Sequence, residues 1–392
     1  MDTKIDFMKE AAALQEELTA WRRALHQIPE TGLTLPKTMD FLTQKLDEMG
    51  ISYQVYPDIS CIQAVIGSGP RCFLLRSDVD GLPVAEEAEV PFKSVNGCMH
   101  GCGHDMHGTI LLGAAKLLKA HESELKGTVK LLFQSGEEIF KGSKAAIDAG
   151  VLENPHVDAA FAAHVIGMAP VGLMMTGKKV MASVYGFKMT VTGRGGHGSM
   201  PEAAIDPINA AVQIYLALQS LIAREVPATE AAVLTIGQFS AGDVANVIPE
   251  RAVLQGTLRT LSKEVREYLM KRISEIASAV AAAYRCQLEI EELSSCPSVI
   301  TDDEVTASAE ASIRALIPQM QIMKQMQGMG SEDFAEFTDR VPGAYYALGA
   351  GVPDQSKWRG QHNPAILFNE DVLQTGAAIY AKVAADWLEK HA

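Results

Sequence analysis

The stretch RCFLLRSDVD (71–80) is the most informative about the fold, because an apolar run that ends in aspartates is typical of a buried strand. Two later segments have the same form, GTVKLLFQSGEE (127–138) and VDAAFAAHVIG (157–167). Helical periodicity lies between and around these segments, at 6–27, 36–49, 107–125, 142–152 and 370–390. This alternation predicts an α/β fold with a mixed, doubly wound sheet that carries helices on both faces.

The pattern changes near residue 184, where apolar and polar residues alternate as in strands with one exposed face. These segments and two helical stretches (206–223 and 262–284) follow the order strand–helix–strand–strand–helix–strand. That order is typical of a ferredoxin-like α+β domain. The sequence therefore predicts that residues 184–294 form a domain inserted into a larger, discontinuous domain of residues 1–183 and 295–392.

Charge and composition exclude several classes of protein. The 392 residues carry a net charge of −14, which argues against a nucleic-acid partner. No run of 18 apolar residues occurs and the N-terminal stretch is acidic, so neither a membrane span nor a secretion signal is expected. Six cysteines are too few for a disulfide scaffold in so long a chain. Free thiols and a cytoplasmic location are therefore expected.

Polar residues follow the three predicted strands where each one ends. Asp78 and Asp80 close the first strand, Glu137 and Glu138 the second, and His164 lies near the end of the third. Open α/β sheets bind ligands beyond the carboxyl ends of their strands. Each of these residues alone is a common polar strand end, whereas the three ends together indicate metal-ligand chemistry at one edge of the sheet.

The segment VNGCMHGCGHDMHGT (95–109) adds Cys102 and His104, two residues apart. A structural zinc site would need a second cysteine pair of matching spacing, which the chain lacks. A catalytic metal site is favoured, and a Cys–His nucleophile pair stays open as the alternative. Of the consecutive acids Glu137 and Glu138, one can bind metal while the other acts as a general base. A solvated helix N-terminus after the second strand would also favour acids at these positions.

The inserted domain and the C-terminal part hold four further candidates. His197 lies in the glycine-rich turn GRGGHGSMPEAAIDP (193–207), where it is expected to be exposed and to donate a hydrogen bond to a substrate carbonyl. Asn246 and Arg259 suit a substrate carboxylate, although an ion pair explains Arg259 equally well. His362 stands alone, and His26, His100 and His107 are expected to pack or to support their neighbours.

These motifs together resemble a known family over nearly the whole chain. In order, the segments include LRSDVDGLPV (75–84), MHGCGHDMHG (99–108), LLFQSGEE (131–138), GRGGHGSMPE (193–202), GTLRT (256–260), GSEDFAEF (330–337) and HNPAILFNEDVL (362–373). The chain is similar to the metal-dependent amidohydrolases that include hippurate hydrolase, bacterial aminoacylases and plant auxin-conjugate hydrolases. These enzymes belong to the metallopeptidases with a co-catalytic dinuclear metal centre.

The resemblance implies a role for each candidate residue. Two divalent ions (zinc, manganese, cobalt or nickel) would be bound by Cys102, His104, Glu138, His164 and His362. Glu137 would be the general base, and His197 would polarise the scissile carbonyl of its own or a partner's site. Asn246 and Arg259 would lie near the substrate carboxylate. Asp80 would orient a metal ligand, whereas Asp78 is not counted as a ligand.

The function implied is hydrolysis of N-acyl-L-amino acids by a metal-bound hydroxide. The inserted domain would be a lid through which the chain forms a homodimer, and the substrate is the only other partner expected. A dipeptidase or aminopeptidase on the same scaffold is the first alternative, for which Glu202 near the substrate entrance is a hint. A protein that binds metal without catalysis is the second alternative.

Overall fold

The computed structural model describes residues 5–392, which form ten α-helices and sixteen β-strands. The helices are α1 (Phe7–Ala13), α2 (Gln15–His26), α3 (Pro36–Glu48), α4 (His104–Ala120), α5 (Gly142–Asp148), α6 (Pro207–Glu225), α7 (Lys263–Ala283), α8 (Asp303–Leu316), α9 (Ala335–Thr338) and α10 (Val372–Lys390). The first eight strands are β1 (Tyr53–Tyr56), β2 (Cys61–Gly67), β3 (Cys72–Asp78), β4 (Thr128–Gln134), β5 (Ala159–Ile166), β6 (Leu173–Met175), β7 (Lys179–Met181) and β8 (Ser183–Thr192). The others are β9 (Gly196–His197), β10 (Ala232–Ala241), β11 (Val247–Ile248), β12 (Arg251–Thr260), β13 (Gln287–Cys296), β14 (Val299–Ile300), β15 (Gln321–Met323) and β16 (Gly343–Gly349).

The larger of two compact units runs to Val180 and resumes with Ile300–Met326 and Asp333–Ala392. Its centre is an eight-stranded mixed sheet with the order β1-β2-β4-β3-β5-β16-β6-β15. Strands β3, β4 and β16 are buried at every residue, so both faces of the sheet are covered. The predicted α/β fold with a central mixed sheet is confirmed.

Strand β3 lies between β4 and β5 and pairs in parallel with both of them. Helix α4, which is buried over most of its length, and helix α10 contribute to the same apolar core as these strands. Because the three strands run in one direction, their carboxyl ends meet at one edge of the sheet. This edge is where the polar residues of the sequence motifs lie.

Three predicted helices differ from the structure by a break or by more than two residues at an end, and the one predicted over 142–152 ends at Asp148 as α5. The stretch 6–27 is not one helix, because the backbone N–H of Leu14 turns back to the carbonyl oxygen of Ala11 and ends α1 before α2 begins. Helix α4 was expected over 107–125, yet it begins at His104 and ends at Ala120. The earlier start places His104 on the first turn of a helix rather than in a loop.

The smaller unit comprises Met181–Val299 and Gln327–Glu332. It contains a four-stranded antiparallel sheet with the order β10-β12-β8-β13. Helices α6 and α7 share an apolar core with one face of this sheet, where Phe187, Ile214 and Leu269 are among the buried side chains. Within residues 5–392, no helix is both long enough and apolar enough to cross a membrane.

Candidate metal centre

Three parallel strands bring polar side chains to one edge of the large sheet. Asp78, the last residue of β3, lies opposite Gln134 at the end of β4, and Glu137 and Glu138 follow a short distance along the chain. His164 lies near the carboxyl end of β5, on the other side of β3. The predicted gathering of these residues at the edge where α/β proteins bind ligands is thus observed.

The turn before α4 adds Cys102 and His104 to this edge. Gly103 has a φ of +92°, and a Cβ atom on it would lie 2.5 Å from Cγ2 of Val165. Both the left-handed backbone and the close approach require glycine at this position. Glycine between the two residues therefore lets the thiol and the imidazole lie against the end of β5.

Among the described residues, five trios of side chains have ligand atoms within 4.8 Å of one another, and two of these trios share Cys102. One trio is Cys102, His104 and His164, and the other is Cys102, Glu138 and His362. The Sγ atom of Cys102 lies 3.2 Å from Nε2 of His164, and Nε2 of His362 lies 3.5 Å from Oε2 of Glu138. The structure brings together the five residues that the sequence resemblance implies as metal ligands, and Cys102 belongs to both trios.

Backbone carbonyl groups orient two of the histidines. Nδ1 of His104 donates to the carbonyl oxygen of Asp80 at 2.9 Å, and Nδ1 of His164 donates to that of Val165 at 2.7 Å. A ring that donates through one nitrogen presents the other for metal binding. Nε2 is therefore the available nitrogen of both rings, as a ligand role requires.

Buried polar atoms without partners show that the site suits a cation. Within residues 5–392, Nε2 of His104 and Oε1 of Glu138 are buried and accept or donate no hydrogen bond. Burial raises the pKa of Cys102 well above its usual range, raises the pKa of Glu138 to about 7, and lowers the pKa of His164. These shifts reflect the cost of buried charge, which a divalent cation would offset. Thiolate, imidazole and carboxylate ligands suit zinc, manganese, cobalt or nickel.

Asp80 holds the turn that carries the two glutamates. Its Oδ1 accepts the backbone N–H of Glu137 and its Oδ2 accepts that of Glu138, each at 3.2 Å. Gly136, which precedes them, has a φ of +69°, a left-handed angle that favours glycine. Glu137 is 6% exposed, and its Oε2 lies 3.9 Å from Nε2 of His104. Glu137 thus lies beside the ligand trios, where a general base has to lie.

A buried arginine that the sequence analysis did not single out braces this edge. Arg76 donates through Nη1 to Asp78 at 2.7 Å and through Nη2 to Asp333 at 2.6 Å. The other oxygen of Asp78 contacts Nδ1 of His107. Burial raises the pKa of Asp78, but His104 and Arg76 outweigh burial and hold that pKa well below its usual value. Both oxygens of Asp78 are engaged by side chains, which favours a bracing role for this residue.

The smaller unit holds His197, Asn246 and Arg259, and it does not bring all three together. His197 pairs with Val247 across the β9–β11 ladder, and the carbonyl oxygen of Asn246 accepts the N–H of Gly198 at 2.8 Å. Arg259 lies near the far end of β12, where it donates to the hydroxyl of Ser331. The eight residue steps from Arg251 to Arg259 span about 26 Å of strand at 3.3 Å per step. His197 follows Thr192, the partner of Arg251, by five residues, so it lies beyond the end of the four-stranded sheet that is opposite Arg259.

A second group of buried charges includes Asp105, the residue that follows His104 in the chain. We call it the His26 cluster, and it consists of Arg22, His26, Glu86 and Asp105. Nδ1 of His26 lies 2.8 Å from Oδ2 of Asp105, and its Nε2 lies 3.0 Å from Oε1 of Glu86. Nε of Arg22 donates to the same oxygen of Asp105 at 2.6 Å. His26 was expected to pack, but it lies between two buried carboxylates.

We expect the His26 cluster to make stability depend on pH. Burial lowers the pKa of His26, but Asp105 and Glu86 outweigh burial, so the pKa is raised. The cluster should therefore stabilise the metal-free chain fully below a pH of about 6.5, the unfolded pKa, and less as pH rises through the folded pKa. Melting temperatures of the wild type and of His26→Gln, measured in chelator, should converge as pH rises. An equal difference at every pH would contradict this expectation.

Comparisons with known proteins agree with the fold. Residues 74–386 match the model of the peptidase family M20/M25/M40. IAA-amino acid hydrolase ILR1-like 5 of Arabidopsis thaliana is 34% identical over 96% of this chain and 88% of its own. N-acetylcysteine deacetylase of Bacillus subtilis is 35% identical over 96% of this chain and 98% of its own. A dinuclear metal-binding M20 peptidase of Bacillus subtilis has a solved structure with a TM-score of 0.82 at 32% identity, covering 96% of this chain and 99% of that one.

The fold, the ligand cluster and these relatives define an amidohydrolase. The chain belongs to the peptidase family M20/M25/M40, and the family resemblance drawn from its motifs is confirmed.

Proposed function

We propose that the protein hydrolyses the amide bond of N-acyl-L-amino acids of the hippurate or N-acetyl-amino-acid type. The observation that carries the proposal is the pair of trios that share Cys102, with the carboxylate of Glu137 beside them. Two relatives are named for hydrolysis of amino-acid derivatives, an IAA-amino acid hydrolase and an N-acetylcysteine deacetylase. The amide bond of an N-acyl amino acid is the corresponding target here.

Cys102, His104 and His164 would hold one divalent ion, and Cys102, Glu138 and His362 would hold the other. Bound there, the ions would supply Lewis-acid chemistry, which polarises a carbonyl group and lowers the pKa of water to about 7. Glu137 would take the proton from the attacking water and return it to the leaving amine. The backbone N–H bonds to Asp80 fix the turn that carries Glu137, so its carboxylate is positioned before substrate binds.

His197 would stabilise the negative charge that develops on the carbonyl oxygen. Its Nδ1 accepts a hydrogen bond from the backbone N–H of Ser199 at 3.1 Å and contacts the Ser199 hydroxyl at 2.7 Å. A ring that accepts at Nδ1 carries its proton on Nε2, and the side chain is exposed. Nε2–H is therefore available to a substrate oxygen, which is the role of an oxyanion donor.

We propose that residues 184–294 form a ferredoxin-like lid through which two copies associate. Strand β10 is an edge strand of its sheet and exposes Val233 and Phe239 at 45% and 42%. Helix α6 exposes Tyr215 and Leu216. An edge strand and an apolar helix face are surfaces that a second copy can cover. His197, which lies beyond one end of the sheet, and Arg259, near the opposite end, would then serve two different sites of the dimer.

Arg259 would recognise the carboxylate of the amino-acid product. It is half-buried, and burial lowers its pKa, so its charge is poorly hydrated and favours an anionic partner. We expect Arg259→Ala to lower kcat/KM for carboxylate substrates about 10- to 100-fold, mainly through KM, because a charged hydrogen bond contributes about 1.5–3 kcal/mol. The measurement is steady-state kinetics with an acyl amino acid and its carboxamide.

The matched control is Arg266→Ala, because Arg266 also donates to a serine of the same unit, Ser295, at 2.6 Å. It should leave kcat/KM unchanged. The carboxamide should be a poor substrate for the wild type and no poorer for Arg259→Ala. If Arg259→Ala affects both substrates equally, Arg259 does not bind the carboxylate.

The test of the proposed function is turnover of an N-acyl-amino-acid panel and a dipeptide panel, with bound metals counted in the same preparation. Release of amino acid from the acyl panel supports the proposal. Turnover confined to dipeptides would reassign the protein as a peptidase, and two bound metals without any turnover would indicate a non-catalytic member of the family. All six cysteines are free thiols, in keeping with a cytoplasmic location, which we retain as part of the proposal.

A further inference from the structure

The loop between β3 and α4 is long and contains no helix or strand, yet it is held at defined points. Residues 82–99 form this loop, which is closed by mutual backbone hydrogen bonds between Leu82 and Met99 at 2.8 and 3.0 Å. The amide of Ser94 donates to Oε2 of Glu86 at 2.7 Å. Long loops without secondary structure in compact domains are usually either functional or disordered, and this one is held by specific hydrogen bonds. We therefore expect the 82–99 loop to hold a neighbouring part of the molecule in position.

The loop contacts the segment that carries His362. We call residues 360–366 the His362 segment. The carbonyl oxygen of Pro364 in this segment accepts a hydrogen bond from the backbone N–H of Glu87 at 2.7 Å. Glu87 follows Glu86 in the chain. Two further hydrogen bonds hold the segment. The side chain of Gln361 donates to the carbonyl oxygen of Val165 at 2.8 Å, and the backbone N–H of His362 donates to the carbonyl oxygen of Gly101 at 2.9 Å.

His362 depends on this support more than the other members of the ligand trios do. Its side chain is 53% exposed, and its φ of +69° is unusual for a residue other than glycine. His104, by contrast, is 1% exposed and begins a buried helix. A strained, exposed residue keeps its conformation only when its surroundings hold it. Loosening the 82–99 loop should therefore affect His362 before it affects His104.

The His26 cluster links the 82–99 loop, through Glu86, to helix α4, through Asp105. Both ring nitrogens of His26 face carboxylate oxygens, and Nδ1 also lies 3.2 Å from Nη2 of Arg22; both nitrogens donate to the carboxylates only when the ring is an imidazolium. Without that ring, Asp105 would keep Arg22 as a charged partner at 2.6 Å. Glu86 is 6% exposed and would keep the amide of Ser94. A buried carboxylate that loses its cationic partner is strongly destabilised, so the loop side of the cluster would move.

We propose that His26 is a positioning residue for one of the two metal sites, because it clamps the 82–99 loop to helix α4 and thereby holds the His362 segment in place. It acts through Glu86 and the Glu87–Pro364 hydrogen bond and contacts neither metal nor substrate. The inference rests on the proposed function only for the assignment of the ligands. Loss of His26 should therefore affect the two metal sites unequally. The site of Glu138 and His362 should bind metal more weakly, whereas the site of His104 and His164 should keep its affinity.

The experiment is titration of the metal-free full-length chain with Zn²⁺ against a competing chelator, with His362→Ala identifying which Kd belongs to the site of His362. For His26→Gln we expect the Kd of that site to rise about 10- to 100-fold, as when an indirect partner of a metal ligand is lost. The Kd of the other site should stay within about threefold by the same argument. If His26→Gln does not fold, Glu86→Gln serves as the test, because it retains the shape of the side chain. We expect it to raise the Kd of the same site by a smaller factor.

The matched control is His121→Gln, because His121 also lies between two carboxylates, with Nδ1 2.8 Å from Glu124 and Nε2 2.9 Å from Glu10. Its Zn²⁺ affinities should equal those of the wild type. Equal losses at both sites in His26→Gln, or no loss in either variant, would overturn the inference. A wild type that binds two Zn²⁺ ions without hydrolysing acyl amino acids would instead overturn the proposed function and leave this test valid.

Discussion

Glu137→Gln is expected to lower kcat about 10²- to 10⁴-fold, the contribution typical of general acid–base catalysis, while both metals stay bound. Glutamine keeps the shape of the side chain but cannot accept a proton from water. Glu137 belongs to neither of the trios that share Cys102, and the glutamine variant leaves all members of those two trios in place, so we expect both metals to stay bound, although Glu137 also groups with His104 and Glu138. The measurement is steady-state turnover of an acyl amino acid together with metal content by mass spectrometry.

Glu138→Gln is the paired control, since the two residues are adjacent and both are held by Asp80. Glu138 is a member of a trio with Cys102 and His362, so its amide variant should lose metal as well as activity. The two variants thus separate a base from a ligand. If Glu137→Gln lost metal, or retained the turnover of the wild type, the assignment of the base would be wrong.

Cys102→Ala is expected to remove both metals and with them all measurable turnover. The thiol belongs to both trios, so its loss takes one ligand from each ion. Loss of an indirect partner costs a metal site about 10- to 100-fold in affinity, and the loss of a shared ligand should exceed that at both sites. Zn²⁺ content after gel filtration and the two dissociation constants are the quantities to measure.

Cys98→Ala provides the matched control, because Cys98 is a free thiol in the same motif but belongs to neither trio. It should bind two metals with the affinities of the wild type. Cys102→Asp, which restores an anionic ligand of similar reach, should recover part of the metal content. Retention of one tightly bound metal by Cys102→Ala would show that the thiol is not shared.

The fold and the position of the site could be predicted because they follow from local patterns. The apolar run at 71–80 is strand β3, and the polar residues after the predicted strands lie at one sheet edge because parallel strands end together. Short strands such as β6 and β15 have three residues each and carry too little periodicity to be recognised. The gathering of His362 with Cys102 was implied by the family resemblance and not by spacing.

The bracing interactions of the site could not be predicted, because they join residues far apart in the chain. Arg76 and Asp333 are separated by 257 positions, and His26 and Glu86 by 60. Arg76 gave one usable signal, since a charged residue within an apolar strand needs a partner when it is buried. His26 gave none, because a histidine on an amphipathic helix usually packs. The start of α4 at His104 depended on Gly103, whose left-handed backbone no periodicity reveals.

The wide separation of Cys102 and His362 also bears on how the protein is made. Most of the chain, including the whole smaller unit, is synthesised between these two residues. A nascent chain on the ribosome holds Cys102, His104 and His164 long before it holds His362, and contacts across so long a loop form late in folding. The complete set of proposed ligands therefore exists only once His362 has been synthesised, so a product terminated before His362 cannot assemble the centre.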